Sequence, residues 1–438
     1  MTQADAISIL KTGQSVFLTG EPGSGKTHTI NEYVRFLREH SVEPAITAST
    51  GIAATHIGGV TVHSWSGIGI KKFLTKADLD FIGTKERLVK QITKTGVLII
   101  DEISMLDSRL LDLIESIVSY VKRSKLPFGG IQVIFVGDFF QLPPISRAGE
   151  PLVRFAFESK AWQRLDPLVL YLSEQHRQED EEFLGLLTAI RSGDVDEIHH
   201  EALLARRIIP KADDAITRLY SHNANVDELN TEALSKISGV QKIFEMTSRG
   251  RANIVEQLKR GCLSPEKLIL KIGARVMFTK NSFDRSYVNG TLGEVKGFSG
   301  DGSPVVKTKN RVIEVPTTDW TVTDGDRVLA SITQRPLRLA WAITVHKSQG
   351  MTLDKAHIDL TRAFEYGQGY VALSRVRAFE GLYLVGHNAR ALEVHPQILE
   401  HDRELRTRSD LAQKTYQNIP QGEKERLEES FLIKSGGT

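Results

Sequence analysis

The chain has 438 residues, 40% hydrophobic and 25% charged, with a formal net charge of +2. That length exceeds one ordinary core, so several structural units are expected, and so even a charge balance favours no particular partner: a nucleic acid would have to bind in a local groove. A single cysteine, Cys262, excludes an internal disulfide framework and suits a reducing compartment; with no nuclear or mitochondrial address a bacterial-type cytoplasm is expected, and no uncharged apolar run approaches the roughly 20 residues of a membrane helix.

In chain order, MTQADAISIL is too acidic and too weakly apolar for a secretory signal. SVFLTG is a short apolar strand, and KTHTINEYVRFLREH places Ile30, Val34 and Leu37 at helical spacing. Further apolar runs at PAITAST, GVLIIDE and IQVIFVGD alternate with helical stretches. This pattern predicts a parallel sheet covered on both faces, hence an α/β fold. From about Gly273 to Leu329 short strands separated by Gly, Asp, Asn and Pro turns predict a small antiparallel barrel. The α/β pattern returns at LRLAWAITV and HIDL, so the barrel is expected as an insertion. Residues 401–438 are charged and end in SGGT, which reads as a partly helical, partly loose tail.

The strand-to-helix junction Gly20–Thr27, GEPGSGKT, meets the phosphate-loop pattern G-x-x-x-x-G-K-[ST] in the context that pattern requires. Gly20, Gly23, Ser24 and Gly25 let the backbone curl its N–H groups onto phosphate oxygens, helped by the helix dipole. Lys26 would reach the terminal phosphates of ATP and the Thr27 hydroxyl would hold Mg²⁺. In VLIIDEISM the strand delivers Asp101 to the metal, beside Thr27, and Glu102 as general base toward water. A third strand, in VIFVGDFFQLPP, ends at Asp138 and Gln141, and Gln141 can bond both the γ-phosphate and the attacking water. Phe139 and Phe140 on that turn read equally well as core. At AWAITVHKSQGMTLD an alternating apolar strand again runs abruptly into polar residues, His346 to Gln349 and Gly350.

The ordered set GEPGSGKT, ASTGIAA, IIDEISM, VGDFFQLPP, LSEQHRQ, TVHKSQG and YVALSRVR resembles superfamily-1 helicases, specifically the PIF (petite integration frequency) family of 5′-to-3′ DNA helicases related to RecD. The similarity spans about residues 1–390. It implies two RecA-like P-loop domains with parallel sheets, plus a small inserted β-barrel of the Src-homology type and a short wedge insertion. The expected boundaries are 1–178 for the first RecA-like domain, with the wedge at about 56–90. The second RecA-like domain would take 179–270 and 331–400, the barrel 271–330, and the charged C-terminal segment 401–438.

By the same resemblance, Arg177 and Arg375 point at the γ-phosphate, Arg375 as the arginine finger on the second domain. Gln3 reads adenine, and Gln349 and Gly350 lie toward the γ-phosphate. Thr344 and His346 contact DNA phosphates. Ser49, Thr50, Thr61, His63 and Ser64 extend the DNA track, with hydroxyls and N–H groups that bind phosphate without reading bases. Trp65 either stacks on a base or is buried, and burial is the favoured reading. On the barrel, Lys280, Arg285 and Lys296 are candidate phosphate contacts, a solvated surface being an equal account of them. The implied activity is ATP- and Mg²⁺-dependent translocation on single-stranded DNA and on forked or 5′-tailed duplexes, by a monomeric core with no membrane role, in genome maintenance. The alternative is a nucleic-acid-binding ATP switch or a protein-stripping translocase without processive unwinding.

Overall fold

The structure is a computed structural model. It describes the chain apart from residues 51–52, 55–56, 70, 72, 145–153, 175–179, 211–215, 223–225, 281, 283–285, 288, 310, 325–326, 350 and 438, and gives backbone alone at 253, 257, 260–261, 322–324, 327 and 329. Arg177, Arg285 and Gly350 therefore lie outside the described residues. The chain divides into two compact units, one of Met1–His200, Phe364–Phe379 and Ala389–Thr438, the other of Glu201–Ala363 and Glu380–Asn388.

Unit 1 is built on six parallel strands, β1 (Val16–Gly20), β2 (Ala45–Ala48), β3 (Val60–Thr61), β4 (Val97–Asp101), β5 (Gln132–Val136) and β6 (Leu168–Leu172), in the order β3-β2-β4-β5-β1-β6. Every residue of β1 and β5 is buried, as expected of strands covered on both faces. Helices α1 (Gln3–Leu10) and α2 (Lys26–Glu39) cover one side. Thr2 and Asp5 form a capping box at the start of α1, while α2 begins at Gly25 with no side-chain cap. The expected wedge region holds three short helices, α3 (Val62–Ser66), α4 (Lys76–Gly83) and α5 (Glu86–Lys94), with Phe73 and Phe81 exposed. Helix α6 (Ser108–Lys122), the short α7 (Lys160–Leu165) and α8 (Glu181–Ser192) complete the N-terminal part of the unit; α9 (Glu197–Ala205) follows.

In unit 2 the strands β7 (Thr217–Tyr220), β18 (Ala342–Thr344), β19 (Ala356–Leu360) and β20 (Leu382–His387) form a second parallel sheet, in the order β18-β7-β19-β20. Asn230, on α10 (Val226–Ser235), is buried and pairs its amide with both backbone groups of Ala342, pinning this helix to β18. The antiparallel strands expected of the barrel are present, and five strands pair in one sheet around a shared core. The strands β11 (Arg275–Phe278), β12 (Leu292–Phe298), β13 (Pro304–Thr308), β14 (Val312–Glu314) and β17 (Leu337–Leu339) run in the order β14-β13-β12-β11-β17. The expected last barrel strand, β16 (Arg327–Gln334), instead pairs with β15 (Thr318–Asp324) and with β9 (Thr247–Gly250). Its Ala330 and Ile332 pack on Val255 of α11 (Ala252–Gly261), so burial draws it to a separate small core. Strands β8 (Lys242–Glu245) and β10 (Lys267–Leu270) pair antiparallel.

The 401–438 segment, expected as partly helical and partly loose, is helical over most of its length: α13 (Pro396–Gln417) and α14 (Gln421–Lys434) belong to unit 1, and Phe431 and Leu432 enter its main core beside Val16, Leu37 and Val97. The docking of α14 rests on these two adjacent apolar residues near its end and not on a continuous apolar stripe. The compact unit is not bounded at 178. Unit 1 runs on to His200 and includes Phe364–Phe379, which carries α12 (Gln368–Leu373). Buried polar bonds from Arg191 and Tyr370 onto Asp138 close both stretches onto it.

Candidate active site and DNA-contact residues

Three strand ends of unit 1 deliver the phosphate-loop chemistry to one sheet edge. β1 ends at Gly20, β4 at Asp101, and the turn after β5 holds Asp138 and Gln141. In open α/β sheets ligands bind beyond the carboxyl ends of the strands. Gly25 has φ 88°, a conformation that favours glycine, and an added Cβ would run into the Gln3 side-chain amide. Gln3 thus lies against the loop, its Nε2 donating to Ser24 O at 3.4 Å and its backbone N–H to Glu174 at 2.9 Å.

Lys26 is turned inward, donating to Gly20 O at 2.7 Å and Glu21 O at 3.0 Å. Burial brings its pKa down to about 8, against the upward pull of Asp138, Glu102 and Asp101, with Arg191 adding to the lowering. Asp101 is pushed up, first by burial and then by the charge of Glu102, while the Glu102 N–H (2.8 Å) and Lys26 oppose the rise. Glu102 takes a left-handed backbone, φ 51°, unusual for a side-chain-bearing residue.

The fit to a nucleotide shows in the donors. Ser24 is fully buried with its hydroxyl unpartnered, and the first turn of α2 has no side-chain cap. Such a turn presents N–H groups to an anion. Thr27 and Asp101 supply oxygen ligands of the kind Mg²⁺ takes, alongside phosphate and water. Among the described residues no cluster of three or more His, Cys, Asp or Glu could hold a metal by itself.

Gln141 is buried, its N–H donating to Asp138 O at 3.0 Å. Phe139 and Phe140 are core, as one reading of them had it. Arg375, expected on the second RecA-like domain, lies in a stretch that groups with unit 1. It is 3% exposed, with Nε on Val371 O at 3.0 Å and Nη2 on Ser374 Oγ at 2.9 Å.

The DNA-track candidates separate by unit. In unit 1, Ser49 follows β2 and bonds the Asp101–Glu102 backbone, its N–H to Asp101 O at 3.1 Å and its hydroxyl to Glu102 O at 2.8 Å. The Thr50 hydroxyl accepts from the Ala53 N–H. Thr61 caps α3 through the Ser64 N–H, leaving Ser64 itself exposed. His63 is half-buried, which lowers its pKa. Trp65 is 3% exposed, so it offers no face to a base; the stacking alternative is corrected to core. In unit 2, Thr344 ends β18, buried, with its hydroxyl accepting from Lys347 N–H. His346 opens a 3₁₀ turn, where burial pulls its pKa down, and Gln349 is buried just beyond. Lys280 donates to Asp319 O and lies 5.1 Å over the Trp320 ring, and Lys296 pairs with Glu294.

Sequence reasoning missed Arg191. It is 3% exposed and donates to both Asp138 oxygens at 2.9 Å. A signal was available: Phe183, Leu186, Leu187, Ile190 and Arg191 occupy one helical stripe, and an arginine on an apolar stripe has a buried anion to meet.

Residues 2–201 match the model of the PIF1-like helicase family. The chain is 41% identical to the ATP-dependent DNA helicase Pif1 of Psychrobacter sp. (strain PRwf-1), an alignment covering 100% of this chain and 76% of that protein. The crystal structure of Pif1 helicase from Candida albicans superposes with a TM-score of 0.82 at 34% identity, covering 92% of this chain and 98% of that one. That of Pif1 helicase from Bacteroides in complex with ADP-AlF3 and ssDNA gives 0.69 at 30% identity, covering 92% and 96%. The chain belongs to the PIF1-like helicase family.

Proposed function

We propose that this chain is an ATP-dependent DNA helicase that moves 5′ to 3′ on single-stranded DNA and opens forked or 5′-tailed duplexes, working as a monomeric core in genome maintenance in a bacterial-type cytoplasm. The observation that carries it is the gathering of Lys26, Asp101, Glu102 and Gln141 at one edge of one parallel sheet. A Bacteroides relative holds both a nucleotide analogue and single-stranded DNA, which supports the same pair of ligands here.

In this reading Lys26 leaves the carbonyls of Gly20 and Glu21 to balance charge on the transferring phosphoryl group. Glu102 takes a proton from the attacking water, and Gln141 orients that water. Arg375 stabilises the charge that develops. Mg²⁺, held by Thr27 and Asp101, would spread the phosphate charge when bound. Ser49, Thr50, Thr61, His63 and Ser64 on one unit and Thr344 and His346 on the other grip the DNA backbone. Opening a base-pair step costs about 1.4 kcal/mol, well within what ATP hydrolysis supplies, so coupling rather than energy supply limits the motor.

The test is unwinding of 5′-tailed against 3′-tailed duplexes with ATP and Mg²⁺. Opening of the 5′-tailed substrate alone is expected. DNA-stimulated ATP turnover without displacement of either strand would leave a switch or a protein-stripping translocase in its place.

A further inference from the structure

A buried polar network lies behind the phosphate-loop edge, and the chemistry described so far does not use it. At its centre Arg191 donates through Nη1 to both Asp138 oxygens at 2.9 Å and to Tyr370 Oη at 3.0 Å. Through Nη2 it donates to Tyr171 Oη at 2.7 Å. Its guanidinium also lies 4.0 Å over the Phe140 ring. Tyr171 donates onward to Asp402 at 3.0 Å, and Asp402 is held from outside by Arg406 at 2.7 Å. Arg191, Asp138 and Tyr370 are each at most 3% exposed. Burial alone would lower the Arg191 pKa, yet Asp138 and the tyrosine and Asp402 oxygens hold it well above its ordinary value.

Five elements meet here: the turn after β5, β6, α8, α12 and α13. Two of them lead directly to proposed catalytic groups. Gln141 is bonded to Asp138 through the backbone of one tight turn. Arg375 has its guanidinium pinned to Val371 O, the residue after Tyr370. A buried charge cluster of this kind is a weak source of stability compared with apolar packing, but it is directional and enforces a register between the elements it joins.

We propose that Arg191 is a positioning residue, whose fork ties the Gln141 turn to α12, the helix that precedes Arg375, with Tyr171 of β6 and Asp402 of α13 bracing it. Planar guanidinium geometry is what the task needs. One arginine meets Asp138, Tyr370 and Tyr171 at once, whereas a lysine ammonium on a flexible stem cannot span them. The inference rests on the assignment of Gln141 and Arg375 to ATP.

The experiment uses the full chain and measures single-stranded-DNA-stimulated ATP hydrolysis together with thermal unfolding. Tyr370→Phe removes one hydroxyl and keeps the ring packing. It should lower kcat about tenfold, the loss expected for a hydrogen bond to a charged group, while KM for ATP and the unfolding midpoint stay close to the parent's. Arg191→Lys, which keeps the charge, should not restore more than a small part of the parental kcat. Parental kcat in Tyr370→Phe would overturn the proposal, as would kcat, KM and unfolding midpoint all shifting together in both variants, since that is the behaviour of a purely structural cluster. Lys26→Ala run alongside separates the two levels. If it still turned over ATP, the phosphate-loop reading itself would fall; if it is dead while Tyr370→Phe is normal, only the positioning role is lost.

Discussion

The hydroxyl of Ser49 donates a 2.8 Å hydrogen bond to the carbonyl of Glu102, and the Ser49 N–H donates to Asp101 O at 3.1 Å. A proposed DNA contact and the proposed general base therefore share a direct bond. Glu102 sits in a left-handed conformation at that point, so the bond helps hold a strained backbone. A phosphate pulling on the loop after β2 would be felt by Glu102 with no intermediate residue. Ser49→Ala should reduce the stimulation of ATP hydrolysis by single-stranded DNA roughly fivefold, the loss of one neutral hydrogen bond, and affect the DNA-free rate less. Equal effects on both rates would mean that the bond supports the base and carries no signal from DNA.

Lys26→Ala should abolish measurable turnover. The ammonium belongs to the phosphate loop itself, and removing such charge stabilisation costs on the order of 10²–10³ in rate. Parental hydrolysis by this variant would mean that the nucleotide binds elsewhere.

Arg375→Ala should lower hydrolysis at least about a hundredfold while ATP binding stays measurable, the pattern of an arginine finger. Fluorescent-nucleotide titration read beside turnover checks it, and unchanged turnover would assign the finger to another arginine.

Gly25→Ala should weaken ATP binding at least about tenfold, since the alanine must adopt φ 88° and its methyl displaces Gln3. Equilibrium binding measures it. Unaltered affinity would show that the loop reshapes on binding nucleotide.

Phe431→Ala tests the role of the C-terminal helices. Phe431 is 7% exposed and packs over Gly13 in the core of unit 1. Truncating a buried phenylalanine costs about 3–5 kcal/mol. Denaturant unfolding should show this as a clear drop in stability, and a change below about 1 kcal/mol would mean that α14 is dispensable to the core.

Local order in the chain determined a good deal of this protein. A glycine-rich junction between a buried strand and an amphipathic helix has one conformation that satisfies its backbone and one kind of ligand that suits it, so Gly20–Thr27 was legible from neighbouring residues. Asp101, Glu102 and Gln141 were legible for the same reason, because apolar strands of a parallel sheet all release their polar ends at one edge. What only the tertiary structure decided depends on residues far apart in the chain. Arg191 is chosen by an anion at Asp138 and two tyrosines on other elements; Trp65 is assigned to core by its burial; the strand Arg327–Gln334 takes the distant β9 as a partner; and a charged C-terminus becomes core because Phe431 and Leu432 join a cluster with Val16, Leu37 and Val97. Pattern along a chain reports which face of an element is apolar, but the identity of what covers that face is settled only when the elements pack.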